Sequence, residues 1–161
     1  MIDFSTNSTL HHCSEKIRDN RFHVKDVFGA TCEICTKSEA HVTINNEYAK
    51  EVTFLKIDKC VFGDGERDLK KCDCGIFTNN HAYFVEIKEI QSEKHDARKK
   101  KRKEATKQLI QTINSFKLLG LTDLKNTTAV IALIPTFDLN YRKIISAREQ
   151  GVINEFMSKC G

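Results

Sequence analysis

From about residue 41 to 90 the chain carries short β-type apolar segments, and a long stretch with a helical period follows them. Residues 41–44 (H-V-T-I) and 52–57 (V-T-F-L-K-I) are rich in β-branched and apolar side chains, with Asn45-Asn46 between them as a turn signal. The second of these strands continues through 60–62 (C-V-F) and is broken by Gly63-Asp64-Gly65. Residues 72–77 predict a strand and 82–90 another, joined by T-N-N-H, whose paired asparagines suit the backbone of a tight hairpin. Along the later strand the pleat sends Tyr83, Val85 and Ile87 to one face and Phe84, Glu86 and Lys88 to the other. Asp73 then approaches Glu86 across the pair, given a matching register. The period changes after that: Ala105, Leu109, Ile113 and Phe116, widened by Ile110, predict a helix over about 94–119, closed by Gly120. Residues 127–134 (T-T-A-V-I-A-L-I) form a continuous apolar run, which predicts a strand buried on both faces. A last helix is expected over about 140–158, with Ile144, Ile145, Val152, Ile153 and Phe156 as its apolar side. The first 30 or so residues are polar and mixed, with a short helix expected near 13–20 behind Ser14 as cap. Hairpins, helix, buried strand and helix in that order predict an α/β fold, a mixed central β-sheet flanked by helices, in one domain spanning 1–161.

Composition adds limits. The chain is 40% hydrophobic and 30% charged, ordinary values for a globular protein. No run reaches the roughly 18 apolar residues needed to cross a bilayer. The opening residues lack the charged start and apolar middle of a signal peptide. A soluble cytoplasmic protein without a membrane partner is the expectation. The net charge of +4 is mild, but it is concentrated: residues 98–103 read R-K-K-K-R-K, and Lys107 follows. Such a run is either a solvated helix face, with Glu93 and Glu104 as local counter-charges, or a phosphate-binding surface. Seven cysteines, an odd number with no export signal, predict reduced thiols rather than a disulfide framework. Cys32-Glu33-Ile34-Cys35, Cys72-Asp73-Cys74 and His11-His12-Cys13 offer zinc ligands, but their spacing is not a double C-x-x-C. A structural Zn²⁺ is therefore the lesser reading, and Cys72 and Cys74 are expected on one strand face.

The charged residues inside the hairpin carry the chemistry. Two carboxylates converging with a carbonyl make a hard oxygen site suited to Mg²⁺ or Mn²⁺. A lysine one step along the same face orients or deprotonates a water, or steadies developing negative charge. The alternative is an exposed sheet face with a cross-strand ion pair. The covering helix argues against that, because charges on a covered face need a partner.

Asp73, twelve intervening residues, and then Glu86-Ile87-Lys88 resemble the motif of the PD-(D/E)xK nuclease superfamily, the restriction-endonuclease-like fold. The likeness spans about residues 50–135 as a catalytic core. It is carried by Lys71-Cys72-Asp73 in one strand, Val85-Glu86-Ile87-Lys88 in the next, and Gln108-Leu109 in the following helix. The proline that often precedes the first aspartate is replaced by Cys72. The resemblance implies that Asp73 and Glu86 ligate Mg²⁺ or Mn²⁺ together with the Ile87 carbonyl. Lys88 is then the catalytic lysine, and Gln108 faces the site to orient substrate or lysine. Many members add an upstream acid; Glu15, Glu33, Glu39 and Glu47 are candidates, Glu15 and Glu47 foremost, with Asp58 as a third option.

A metal-dependent nuclease acting on nucleic acid, DNA favoured over RNA, is the function implied. Arg98, Lys99, Lys100, Lys101, Arg102, Lys103 and Lys107 would hold the phosphates beside the metal, without reading bases. Few aromatics lie near this run, so the sequence signals no stacking platform for single strands. A two-strand cut would call for a homodimer. Two other readings are a non-catalytic nucleic-acid-binding module on the same fold, and a zinc-stabilised interaction protein.

Overall fold

Two layers of apolar side chains, one on each face of a single sheet, organise the protein. A computed structural model describes residues 8–62, 70–92, 94–121 and 126–136. The main sheet has five strands in the order β1 (Ser14–Ile17), β5 (Val52–Lys56), β6 (Cys74–Phe77), β7 (Ala82–Ile90) and β8 (Thr127–Pro135). The first four pair antiparallel, and β7 pairs parallel with β8, so the sheet is mixed. A parallel pair needs a crossover connection. Helix α2 (His95–Leu118) supplies it, close to the predicted span.

One face of this sheet carries Leu55, Ile57, Phe77 and Phe84. Against it pack Leu109, Ile113 and Phe116 of α2 and Leu10 of the short helix α1 (Ser8–His12). Phe84 and Phe116 meet edge to face at 5.1 Å, and Phe77 meets Phe84 at 5.6 Å. Such contacts add to the roughly 1.5–3 kcal/mol that burying each large apolar side chain contributes. Gly75 lies beneath this cluster: a Cβ there would stand 2.5 Å from the Phe77 ring, so only glycine fits the close approach.

The other face carries Val52, Phe54, Cys74, Ile76, Val85 and Ile87. A helix was expected to cover it. Among the described residues a second sheet does so instead, in the order β3 (Glu33–Cys35), β2 (Arg21–Lys25) and β4 (Val42–Asn45). Its Phe22, Val24 and Cys32 complete the second core layer. The pair expected at 41–44 and 52–57 is therefore not a hairpin: β4 pairs with β2, and β5 pairs with β1 and β6.

Three other expectations change. The helix foreseen near 13–20 is strand β1, because pairing Ser14 with Leu55 and Ile17 with Val52 outweighs a weak local helix signal. Residues 60–62 form no strand; only an isolated bridge joins Asp58 to Phe62. Strand β8 is not buried on both faces. Among the described residues it is an edge strand, and its side chains after Thr128 are half-buried. Gly63-Asp64-Gly65 and the helix expected over 140–158 lie outside the described residues.

Candidate active site on the helix-covered face

The β6–β7 register sets the site. Cys74 pairs with Val85 and Phe77 with Ala82, so the next position along places Asp73 opposite Glu86. Asp73 directly precedes β6 and is held through both its carbonyl and its carboxylate. Its carbonyl accepts from the Ile57 amide at 3.0 Å, the Asp58 amide at 3.4 Å and the Cys32 thiol at 3.2 Å. Its Oδ2 accepts from the Ile87 N–H at 2.6 Å. The N–H and C=O of a strand residue leave on the same edge. The Ile87 carbonyl thus leaves β7 on the Asp73 side, where the resemblance requires it.

Glu86 is fully buried, on the same face as Phe84 and beneath α2. Its Oε1 is in ion contact with Nζ of Lys88, and neither of its oxygens has a hydrogen bond of ordinary geometry. Burial pushes its carboxyl up to about 8, and the neighbouring Asp73 charge adds to the push against the pull of Lys88. Burial likewise pushes Asp73 up to about 7, in spite of the Ile87 N–H. At Lys88 burial works against the charge, but Glu86, Asp73 and Asp26 outweigh it and hold the amine above its ordinary value. Lys88 is thus an ammonium ion, a donor.

Among the candidate upstream acids the structure brings Asp58 to the site. It follows Ile57 on the Asp73 carbonyl, and burial raises its carboxyl. Glu15 and Glu47 are exposed. Glu33 and Glu39 form ion pairs with Lys25 at 3.2 and 2.9 Å. Sequence reasoning missed Asp26, at the end of β2, whose charge acts on Asp58, Asp73 and Lys88. No spacing pattern links it to the hairpin, because it comes from the second sheet.

Gln108 is bonded two residues short of Asp73. Its amide donates to the Lys71 carbonyl at 2.9 Å, and one turn on Thr112 Oγ1 accepts from the Cys72 amide at 2.8 Å. Together they brace the two residues before Asp73 against α2. Lys71 is buried, with Nζ on Ser115 Oγ at 2.6 Å and over the Phe62 ring.

Of the cysteines, Cys13 and Cys60 form a disulfide, which corrects the expectation that these two are reduced. Cys32, Cys72 and Cys74 are buried thiols. Cys72 and Cys74 do not share a face: each belongs to a different core layer. Burial raises the Cys72 thiol, and a hydrogen bond with Cys32 raises that of Cys74, so both stay protonated. Among the described residues no group of three or more His, Cys, Asp or Glu side chains is arranged to enclose a metal. Two carboxylates with open coordination still fit Mg²⁺ or Mn²⁺, which keep waters and take the remaining ligands from a phosphate. Glu86 Oε2, buried without a hydrogen-bond partner beside the Oε1 that meets Lys88, is the observation that favours this fit.

Comparison with protein-family models, with curated proteins and with solved structures finds no match.

The functional reading rests on the site and its surroundings. On α2 the basic run wraps around the axis. Ala105, Leu109, Thr112, Ile113 and Phe116 mark the buried side. At about 100° per residue, Lys100 and Lys107 lie opposite to it with Lys103 beside them and Lys99 on a flank, and all four are exposed. Arg98 and Arg102 lie in line with the buried side and Lys101 towards its flank, and all three are half-buried. Among the described residues no helix is long and apolar enough to cross a membrane.

Proposed function

We propose that this protein is a metal-dependent nuclease with a restriction-endonuclease-like core, and that nucleic acid, DNA before RNA, is its substrate. One observation carries the proposal: Asp73 stands opposite a fully buried Glu86 that, among the described residues, is paired with Lys88 alone, on a face closed by a helix. Burying two carboxylates side by side is costly without a cation to receive them. Asp73, Glu86 and the Ile87 carbonyl are the groups that would hold Mg²⁺ or Mn²⁺. A divalent ion there supplies an acidified water and neutralises charge on the scissile phosphate. Lys88, an ammonium donor at the rim of the pair, orients the attacking water and faces the negative charge that develops on phosphorus-bound oxygen. Asp58, whose amide reaches the Asp73 carbonyl at 3.4 Å, would extend the acidic side. Gln108 and Thr112 act at one remove, by fixing the strand that presents Asp73. The exposed lysines of α2 give a sequence-independent hold on the backbone.

A second reading is a binding module in which Glu86 and Lys88 simply neutralise one another; their direct contact favours it. One experiment separates the two. Plasmid, single-stranded DNA and RNA are incubated at low salt with Mg²⁺, with Mn²⁺ and with EDTA, using the parent protein and Lys88→Ala. Metal-dependent cutting that disappears in Lys88→Ala supports the nuclease. Salt-sensitive binding without turnover under either metal would leave the binding module.

A further inference from the structure

The loop between β2 and β3 is pinned at both ends beside the candidate site. Asp26 opens it, with its amide on His41 Nδ1 at 3.0 Å and its charge acting on Asp73 and Lys88. Cys32 closes it, with its thiol on the Asp73 carbonyl at 3.2 Å. Between them the chain makes a hydrogen-bonded turn, Ala30 N–H to Val27 carbonyl at 2.9 Å, with Gly29 at φ +79°. That geometry belongs to a turn with glycine at its third position. The second position is Phe28, whose exposure of 104% leaves the whole ring in water.

Leaving this ring in water forgoes the roughly 1.5–3 kcal/mol that burying such a side chain contributes. The ring is also solitary. Its neighbours in the turn are Gly29, Ala30 and the half-buried Val27, so the turn offers little apolar surface besides the ring itself. It offers one planar face. Two chain steps separate it from Asp26, at most roughly 7 Å of backbone.

The geometry points to Phe28 as a stacking platform for a nucleobase of the substrate, next to the bond that is cut, and therefore to single-stranded or locally opened nucleic acid as the preferred substrate. The inference rests on the nuclease reading and deepens it. A base inside an intact duplex has both faces covered by its neighbours, whereas an unstacked base presents a free face to an aromatic ring. The backbone hold comes from α2, and the stacking contact comes from the second sheet. The two contributions differ in salt dependence: phosphate contacts weaken as salt rises, and stacking does not.

The test measures binding in EDTA, where no cutting occurs, of an oligonucleotide carrying 2-aminopurine. The proteins are the parent, Phe28→Ala, Phe28→Trp and Lys103→Ala, each at several salt concentrations. Phe28→Ala is expected to bind single strands about 5- to 100-fold more weakly at every salt, with the salt slope of the parent. It should also lose the quenching of 2-aminopurine. Phe28→Trp is expected to keep the affinity, and its own fluorescence should fall on binding. Lys103→Ala is expected to lower the slope instead. Phe28→Ala binding like the parent would overturn the inference while leaving the nuclease standing, provided the parent still cuts with metal. Equal losses on blunt duplex and on single strand would overturn the substrate preference. Unchanged binding with a smaller sedimenting species would assign the ring to contact between copies of the chain, and would also overturn it. A parent that neither binds nor cuts removes the nuclease reading itself.

Discussion

At the scale of single residues, the feature with most consequence is a pair of carboxyl groups that hold protons more tightly in the folded protein than in the unfolded chain. Asp73 rises to about 7 and Glu86 to about 8, mainly through burial. Ordinary values near 4 apply once the chain unfolds. Between pH 4 and 8 the native state therefore binds more protons than the unfolded state, and stability falls as pH rises through that window. The slope is at most about 1.4 kcal/mol per pH unit for each proton concerned. Denaturant titrations of the metal-free protein at a series of pH values are expected to show this fall. Glu86→Gln is expected to flatten it above pH 7, and added Mg²⁺ to do the same for the parent. A metal-free parent whose stability is level between pH 5 and 8 would contradict the buried-pair description. The pair itself was legible in the sequence, because a pleat of period two and a short hairpin connection leave few registers, and the observed one sets Asp73 against Glu86. Asp26 and Asp58 were not legible as members of one cluster. They arrive from other strands, and no local pattern encodes a contact that only the assembled sheets create.

At the scale of elements, α2 is both lid and brace. Its buried face was readable from Ala105, Leu109, Ile113 and Phe116, and its observed span differs little from the expected one. Thr112 was not among the residues singled out, yet it ties the helix to the strand that bears Asp73. Its hydroxyl donates to the Gln108 carbonyl and accepts from the Cys72 N–H, both at 2.8 Å. Thr112→Val keeps the shape and removes the acceptor, leaving a fully buried amide unpaired. A loss of about 1–3 kcal/mol is expected, seen as a lower denaturant midpoint with unchanged slope. Any nuclease activity should fall further than the unfolded fraction explains, because Asp73 follows directly. An unaltered midpoint would mean that water replaces the threonine. Strands β2 and β3 went unread although Phe22 and Val24 alternate correctly; the segments are three to five residues long, and charged residues and a histidine lie among them. Such short pieces are strands because the exposed apolar face of the main sheet needs covering, a demand that the segment itself does not display.

At the scale of the whole molecule, the disulfide joins the end of α1 to the loop after β5, closing a separation of 47 residues. Both sulfurs belong to the helix-side core layer. A parity argument over seven cysteines could not have found it, since one pair leaves an odd number over. The double variant Cys13→Ser, Cys60→Ser is expected to lose about 2–4 kcal/mol. Reductant should lower the stability of the parent to the same level and leave the variant unmoved. A parent insensitive to reductant, with no cross-linked Cys13–Cys60 peptide in a non-reducing map, would remove the bond from the description. The α/β class and the mixed sheet were legible because they follow from the order of elements. The three-layer arrangement was not, because its third layer is built from the segments with the weakest patterns.

The pairing of Ile17 with Val52 has one more implication. The chain leaves the main sheet at one of these residues and comes back at the other, a strand's width away. Everything from 18 to 51 is an excursion between adjacent points, and Asp26, Phe28 and Cys32 all belong to it. The Asp73–Glu86–Lys88 set and its brace on α2 do not. An engineer could therefore treat the excursion as an interchangeable cassette, replaced by another small apolar-backed sheet of equal footprint. Any replacement would have to restore the Cys32 thiol on the Asp73 carbonyl and the Asp26 charge beside Asp73 and Lys88, because the excursion reaches the carboxylate pair through those two residues.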